Sequence, residues 1–416
     1  MRITGRPLPV RRRSTGVVVE ELDWDAKTLH ERRTMSVRAD LIENARLVLP
    51  DQVLQPGWLA IQDGVIVDRG EGRAPERGVD LGGDFLLPGF IELHTDHLES
   101  HFHPRPRVRW HPLSAVMAYD AQIIAAGVTT VFDSLRAGSD TEGGMPNSDL
   151  WSLAEALDEA RDGGYLRAEH RTHLRCEVAT HDVIDEVTRF AGRFPIHVIS
   201  LMDHTPGQRQ FRDVELWKVY FTGKTARTEA EANAVVERRL ALHQANASRH
   251  RRELVAFAQA HGIALASHDD ATAEHVVESI ADGVAIAEFP TTHEAAGLSH
   301  EAGIRVMMGG PNLVRGGSHS GNIAAEGLAR EGLLDIISSD YVPASLAMAV
   351  FMLAERVESI SLPEAVRMIT LNPARAAGLH DRGAIAVGQR ADCLQVHLAG
   401  NVPIVRRVWR QGRQVV

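Results

Sequence analysis

Two textures of hydrophobic patterning divide the chain. Residues 37–87 alternate apolar and polar positions in short stretches, "RADLIENARLVLP", "GWLAIQDGVIVDRG" and "VDLGGDFLLPG", with Gly and Asp between them. Period-two alternation interrupted by turn residues predicts short strands. The last segment, "RGAIAVGQRADCLQVHLAGNVPIVRRVWRQGRQVV" (382–416), has the same texture. A small β-sandwich domain assembled from 35–87 and 382–416 is therefore expected. Residues 88–381 read differently, because short apolar runs there alternate with helical stretches such as "SDLWSLAEALDEARDGG" and "EAEANAVVERRLALHQANASRHRRELVAFAQAHG". Eight runs qualify as strands: "FIELHTD", "GVTTVFDS", "THLRCEVA", "PIHVISLMD", "GIALASHD", "GVAIAEFP", "IRVMMGG" and "LLDIISSD". Repeated strand–helix units imply a parallel sheet, and eight of them predict an α/β fold of the closed (β/α)8 TIM-like barrel type. The competing fold is an open doubly wound sheet. No G-x-G-x-x-G follows an early strand, which weakens its nucleotide-binding version.

Composition narrows the class. A chain of 416 residues suits one large α/β barrel with an appendage, or two to three ordinary domains. Its formal net charge of −10 argues against a nucleic-acid or anionic-membrane surface, but leaves room for a local basic pocket. Two cysteines, Cys176 and Cys393, cannot form a disulfide framework and fit a cytoplasmic setting. No apolar run reaches the length of a membrane span. Residues 1–34 begin "MRITGRPLPVRRR" and lack the apolar core of a secretory signal. They are expected to be an extension or the product of a misassigned start, with the folded chain beginning near Met35.

In a barrel of this kind the chemistry collects at the C-terminal ends of the strands. The first run ends in His94-Thr95-Asp96, where alternation projects His94 and Asp96 to one face. The third ends at Glu177, the fourth runs into Asp203-His204, the fifth into His268-Asp269-Asp270, and the eighth into Asp340. Taken singly, each has an ordinary reading: a hydrogen-bonded histidine, a barrel ion pair, or, for Asp340, a helix N-cap. Jointly they deliver imidazoles and carboxylates to one rim from five strands, the donor types that hold a divalent ion. His97, Glu99, His101, His103 and His293 remain unassigned.

A second constellation follows the seventh run, "GGPNLVRGGSHSGNIAAEGLAR". Read as a loop, its glycines, including Gly316 and Gly317, free backbone N–H groups to approach an anion. Asn312, Arg315, Ser318, His319, Ser320 and Asn322 add donors, and a helix is expected to start near Asn322. A phosphate site after strands seven and eight is common in such barrels. Arg105, Arg107, Arg109, Arg136, Lys218 and Lys224 add cations near the same rim.

With these residues in place, the sequence resembles the amidohydrolase superfamily. "LLPGFIELHTD" is similar to its strand-one metal motif, with Asp96 where a second histidine is usual. "HLRCE" and "ASHDDAT" resemble the deacetylase branch, in which a strand-three glutamate is a metal ligand; the fourth run has no lysine to carboxylate, so the resemblance implies Glu177 as the bridging ligand. Glu288-Phe289-Pro290 stands where a histidine is usual. "LHTDHLESHFHPRP", "SLMDHTPGQRQF", "EFPTT", "GGPNLVRGGSHSGN" and "SSDYVPAS" further resemble the α-D-ribose 1-methylphosphonate 5-triphosphate diphosphatases of phosphonate metabolism, with His97 where an amide residue is expected.

That resemblance implies a metal-dependent hydrolase releasing diphosphate from a phosphorylated ribose. One or two divalent ions, expected to be zinc, would sit on His94, Asp96, Glu177, His204, His268 and Asp340. Asp340 would orient the attacking water and take its proton, and the Gly-rich segment with Arg136 and Lys224 would hold the leaving group. A homodimer is expected. The alternatives are an amide hydrolase (deacetylase or cyclic-amide hydrolase) and a non-catalytic barrel scaffold.

Overall fold

A computed structural model describes residues 40–105, 108–139, 147–210, 213–225, 227–318 and 321–416, without the side chains of Asn147 and Lys224. The extension 1–34 lies outside the described residues, as do Arg107, His319 and Ser320.

The alternating ends of the chain build one sheet. Its strands are β1 (Asp40–Val48), β2 (Val53–Gln62), β3 (Val65–Glu71), β4 (Val79–Asp80) and β5 (Phe85–Pro88), joined by β14 (Cys393–Ala399), β15 (Val402–Arg410) and β16 (Arg413–Gln414). The order is β16-β15-β14-β5-β1-β2-β3, with β4 beside β1. The termini meet where β14 pairs antiparallel with β5, Leu394 opposite Leu87. Ile42, Leu47, Leu59, Ile66, Leu86 and Cys393 pack together as the core of this sheet.

The middle of the chain builds the second sheet from β6 (Phe90–Thr95), β7 (Val128–Ala137), β8 (Glu169–Glu177), β9 (Val198–Met202), β10 (Ala264–His268), β11 (Ile286–Glu288), β12 (Arg305–Gly309) and β13 (Ile336–Ser338). All neighbours are parallel and follow chain order. Ladder pairing between β13 and β6 shrinks to one bridge, Thr95 to Asp340. Side chains complete the closure: Thr95 Oγ1 donates to the Asp340 carbonyl at 2.8 Å, and Ser338 Oγ to Glu92 Oε1 at 2.8 Å. The result is a nearly closed eight-stranded barrel. Ile91, Phe132, Val198, Ile286, Met307 and Ile336 fill its interior, while a larger apolar layer separates strands from helices. Such near-continuous apolar strands are what a sheet covered on both faces demands.

Gly89 links the two sheets. A Cβ there would collide with the Thr129 side chain, so the chain passes this point only as glycine. The helix Glu229–His261 starts at a capping box, Thr228 with Glu231, and stops at Gly262 with φ 64°. No helix of the described residues is long and apolar enough to cross a membrane.

One expectation is corrected. Residues 310–315 are a helix, Gly310–Arg315, with Pro311 in its first turn and Gly316 ending it at φ 80°. Pro pre-sets the helical φ and Gly accepts the left-handed stop, so the same residues that suggest a loop bound a short helix. The helix expected near Asn322 runs Ala325–Arg330. The ordinary alternative for Asp340, a helix N-cap, does not apply, since the following helix Ser345–Arg356 is capped at Ala344.

Candidate metal centre and active-site cavity

A cavity of about 450 Å³ opens at the C-terminal ends of the barrel strands. Five of the sequence-predicted ligands line it: His94, Asp96, His204, His268 and Asp340. Three non-glycine residues in left-handed conformation stand on its wall, each just past a barrel strand: Asp269 (φ 57°), Phe289 (φ 54°) and Asp340 (φ 53°). Left-handed backbone is costly for such residues, and for an aromatic one unusual, and it persists where surrounding structure enforces it for a site.

Donors gather in two groups, His94–His173–Glu288, of which His94 lines the cavity, and His204–His268–Asp269, all three of which line it; in each group the ligand atoms lie within 4.8 Å of one another. His94 Nδ1 and Glu288 Oε1 lie 3.3 Å apart, and neither atom has a hydrogen-bond partner although both are buried. Ser200 Oγ donates to Glu288 Oε2 and also contacts His173 Nε2, fixing the carboxylate from behind. The His268 ring lies 5.5 Å from both the His94 and His204 rings, centroid to centroid, which connects the groups. His268 Nδ1 meets Asp269 Oδ2 at 2.9 Å.

Glu177 stands one step back. Its carboxylate accepts from His204 N at 2.9 Å and His204 Nδ1 at 2.6 Å, and Arg136 Nη2 reaches it at 3.3 Å. It lines a smaller adjoining cavity of about 100 Å³ together with Arg136. Asp96 is half-exposed, 3.9 Å from Arg175.

The electrostatics favour ion binding. Burial, followed by the Arg175 charge, holds the His94 imidazole well below its ordinary pKa, so it is neutral and its nitrogen can ligate. Burial pushes the Glu177 carboxyl up, but the His204 charge and hydrogen bonds, with Arg136, outweigh it and hold it at about 2. Burial lifts the Asp340 carboxyl to about 7, with the Asp96 charge adding to the rise. Orphaned buried atoms, a neutral imidazole and mixed nitrogen–oxygen donors fit a divalent ion of borderline softness, such as zinc.

The phosphate constellation is only partly assembled. Arg315, Gly317 and Ser318 line the main cavity. Asn312 lines it too, but its amide ties the short helix to the downstream segment, donating to the Ile323 carbonyl at 3.0 Å and accepting from Ala325 N at 2.9 Å. Gly316 acts as the helix stop. Arg136 pairs with Glu177, and the Lys224 side chain lies outside the described residues. His293 is on the surface against Glu331. Both ring nitrogens of His97 are buried without a hydrogen-bond partner among the described residues, its ring edge-on to His101.

Sequence reasoning missed His173 and Arg175, and it named Asp269 and Glu288 without giving either a ligand role. The first two were within reach, because "HLRCE" places His173, Arg175 and Glu177 at period two, the spacing of one strand face. Arg175 lines the cavity beside Asp96 and His268.

Comparison with known proteins agrees with this architecture. Residues 152–416 match the amidohydrolase family. The chain belongs to the amidohydrolase family. This amidohydrolase is 46% identical to the α-D-ribose 1-methylphosphonate 5-triphosphate diphosphatase of Escherichia coli (strain K12), over 90% of the chain and 100% of the relative. It is 26% identical to an imidazolonepropionase of Deinococcus deserti, over 87% of the chain and 92% of the relative. Its fold matches the crystal structure of N-acetyl-D-glucosamine-6-phosphate deacetylase from Mycobacterium smegmatis at TM-score 0.60 and 18% identity, covering 91% of this chain and 100% of that one.

Proposed function

We propose that this amidohydrolase cleaves a phosphoanhydride, releasing diphosphate from α-D-ribose 1-methylphosphonate 5-triphosphate and leaving the 5-phosphate, as a step of phosphonate catabolism. Full-length similarity to the Escherichia coli diphosphatase supports this substrate. The observation that carries the reaction type is the placing of Arg175 and Arg315 in one cavity with the histidine–carboxylate donors. An amide group itself brings no charge for two guanidiniums to meet, whereas a triphosphate spreads several negative charges along a chain that two guanidiniums can hold together.

His94, His204 and His268, with Asp96, Glu177 and Asp340, are the residues we assign to one or two zinc ions; Glu288 joins them from its contact with His94. Bound there, the metal supplies acidification of water and polarisation of a phosphoryl oxygen. The chain's own residues do the rest. Asp340, partly withdrawn from water and held near neutral pKa, takes the proton of the attacking water at a carboxylate oxygen. Glu177 holds His204 at Nδ1, which fixes the ring and leaves Nε2 as its free nitrogen. Arg175 offsets charge that builds on the phosphoryl oxygens, and Arg315 with the Gly317–Ser318 backbone holds the departing diphosphate.

The reading includes a cytoplasmic homodimer. Two free, buried cysteines support the reducing compartment, and light scattering checks the dimer. The test of function is a phosphorus NMR assay of the zinc-loaded protein with ribose 5-triphosphates, with and without the 1-phosphonate. Diphosphate and a 5-phosphate should appear, faster with the phosphonate. Stepwise release of orthophosphate, or turnover of N-acetyl sugars or imidazolones instead, would overturn the reading.

A further inference from the structure

The opposite end of the barrel holds a second cavity, of about 650 Å³. It lies where strands begin: Glu169 opens β8, His197 directly precedes β9, and the turn between β15 and β16 closes one side. Its wall is basic, with Arg161, Arg167, Arg171, Arg410 and Arg413 lining it against one carboxylate, Glu169. That carboxylate is already committed. Glu169 Oε1 takes Arg171, while Oε2 takes Arg382 at 2.8 Å and Arg390 at 2.5 Å. Arg161 turns to Asp158 at 2.8 Å and Arg167 to Asp120 at 3.0 Å. Arg410 and Arg413 have no hydrogen bond or ion pair from their side chains among the described residues. Arg410 is also half-buried, and burial followed by the Arg390 charge depresses its pKa.

Half-burying an unpaired guanidinium among four others is unfavourable unless an anion compensates it. We propose that this rear cavity is a binding site for an oligophosphate anion, separate from the substrate cavity at the other rim. Guanidinium forks match phosphoryl oxygens in pairs, and the excess of positive charge calls for more than one negative charge. Tyr165, largely exposed at the lip, offers a ring face to a nucleobase. The ligand is therefore inorganic oligophosphate or the oligophosphate tail of a nucleotide. The site does not rest on the reaction assigned above.

The test is calorimetric titration of the zinc-loaded full chain carrying Asp340→Asn, so that nothing is turned over, with inorganic tripolyphosphate and separately with ATP, in excess magnesium. Adding R410Q/R413Q should remove one equivalent of bound anion per chain, or weaken it about tenfold for each guanidinium lost. The exposed single change Arg413→Gln should give a partial loss and guards against misfolding of the double variant. Tighter binding of ATP than of tripolyphosphate assigns the nucleotide, and equal binding assigns the inorganic chain. Unchanged stoichiometry and affinity in both variants, or citrate binding as tightly as tripolyphosphate, would overturn the proposal.

Discussion

The two ends of the barrel treat buried charge in opposite ways. At the C-terminal rim, charges are gathered and left short of partners. His94 Nδ1 and Glu288 Oε1 face each other unbonded, and Asp340 is lifted to about 7. At the N-terminal end two acids, Glu169 and Asp120, are saturated. Burial pushes Glu169 up, yet its bonds to Arg390 and Arg382 hold it at about 2, and Asp120 accepts from Arg167 N, Ala168 N and the Arg167 guanidinium. Saturated carboxylates stabilise; unsaturated buried donors cost stability and are retained where chemistry or a ligand needs them. The contrast teaches that burial of a titratable group says little until its partners are counted. The rear arginines 410 and 413 are the exception that stands out against their saturated neighbours.

Substitutions can break this contrast, beginning at the rim. Asp340→Asn should preserve the fold and lower kcat by about a hundred- to ten-thousandfold, the usual contribution of a general base; steady-state kinetics with a circular-dichroism check measures both. Arg175→Met should reduce kcat by roughly a hundredfold with zinc content unchanged, on the scale of removing one transition-state donor; metal analysis beside kinetics separates charge stabilisation from ligation. At the other end the effect should move from rate to stability. Glu169→Gln leaves Arg171, Arg382 and Arg390 without their shared acid and should cost about 3 kcal/mol in denaturant unfolding, with kcat retained.

The smallest effect expected is pH-dependent. Burial alone would lower the His170 pKa, but Asp133 and Asp120, at 3.0 and 3.3 Å, raise it to about 9. A histidine whose folded pKa lies above its unfolded one stabilises fully below the unfolded value, about 6.5, and loses that contribution as pH rises through 9. The stability gap between the wild type and His170→Gln should therefore be widest at pH 6 and shrink by pH 9.5 in urea titrations.

Much of this architecture is legible in the sequence because its signals are local. Apolar runs at strand length mark all eight barrel strands, though β11 and β13 are only three residues long, and alternation marks the terminal sheet. The rim positions His94, Asp96, His204, His268 and Asp340 follow from the rule that strands end at the chemistry, and the structure brings these five to one cavity. The rest depends on non-local geometry. Glu288 gains its meaning from His94 and Ser200, far away in sequence. Asn312 reads as a ligand donor until the fold uses its amide to anchor Ile323 and Ala325. The helix Gly310–Arg315 has six residues, too few for helical periodicity to emerge against its flanking glycines. The rear arginines sit on segments 161–171 and 410–413, which only the fold brings together.

The claim on which most depends is that the rim's imidazoles and carboxylates hold metal. Diffraction from zinc-grown crystals, recorded across the zinc absorption edge, tests it directly. One or two anomalous peaks should lie within bonding distance of His94 and of the His204–His268 pair. A rim without a peak, beside full zinc occupancy elsewhere on the molecule, would contradict the account.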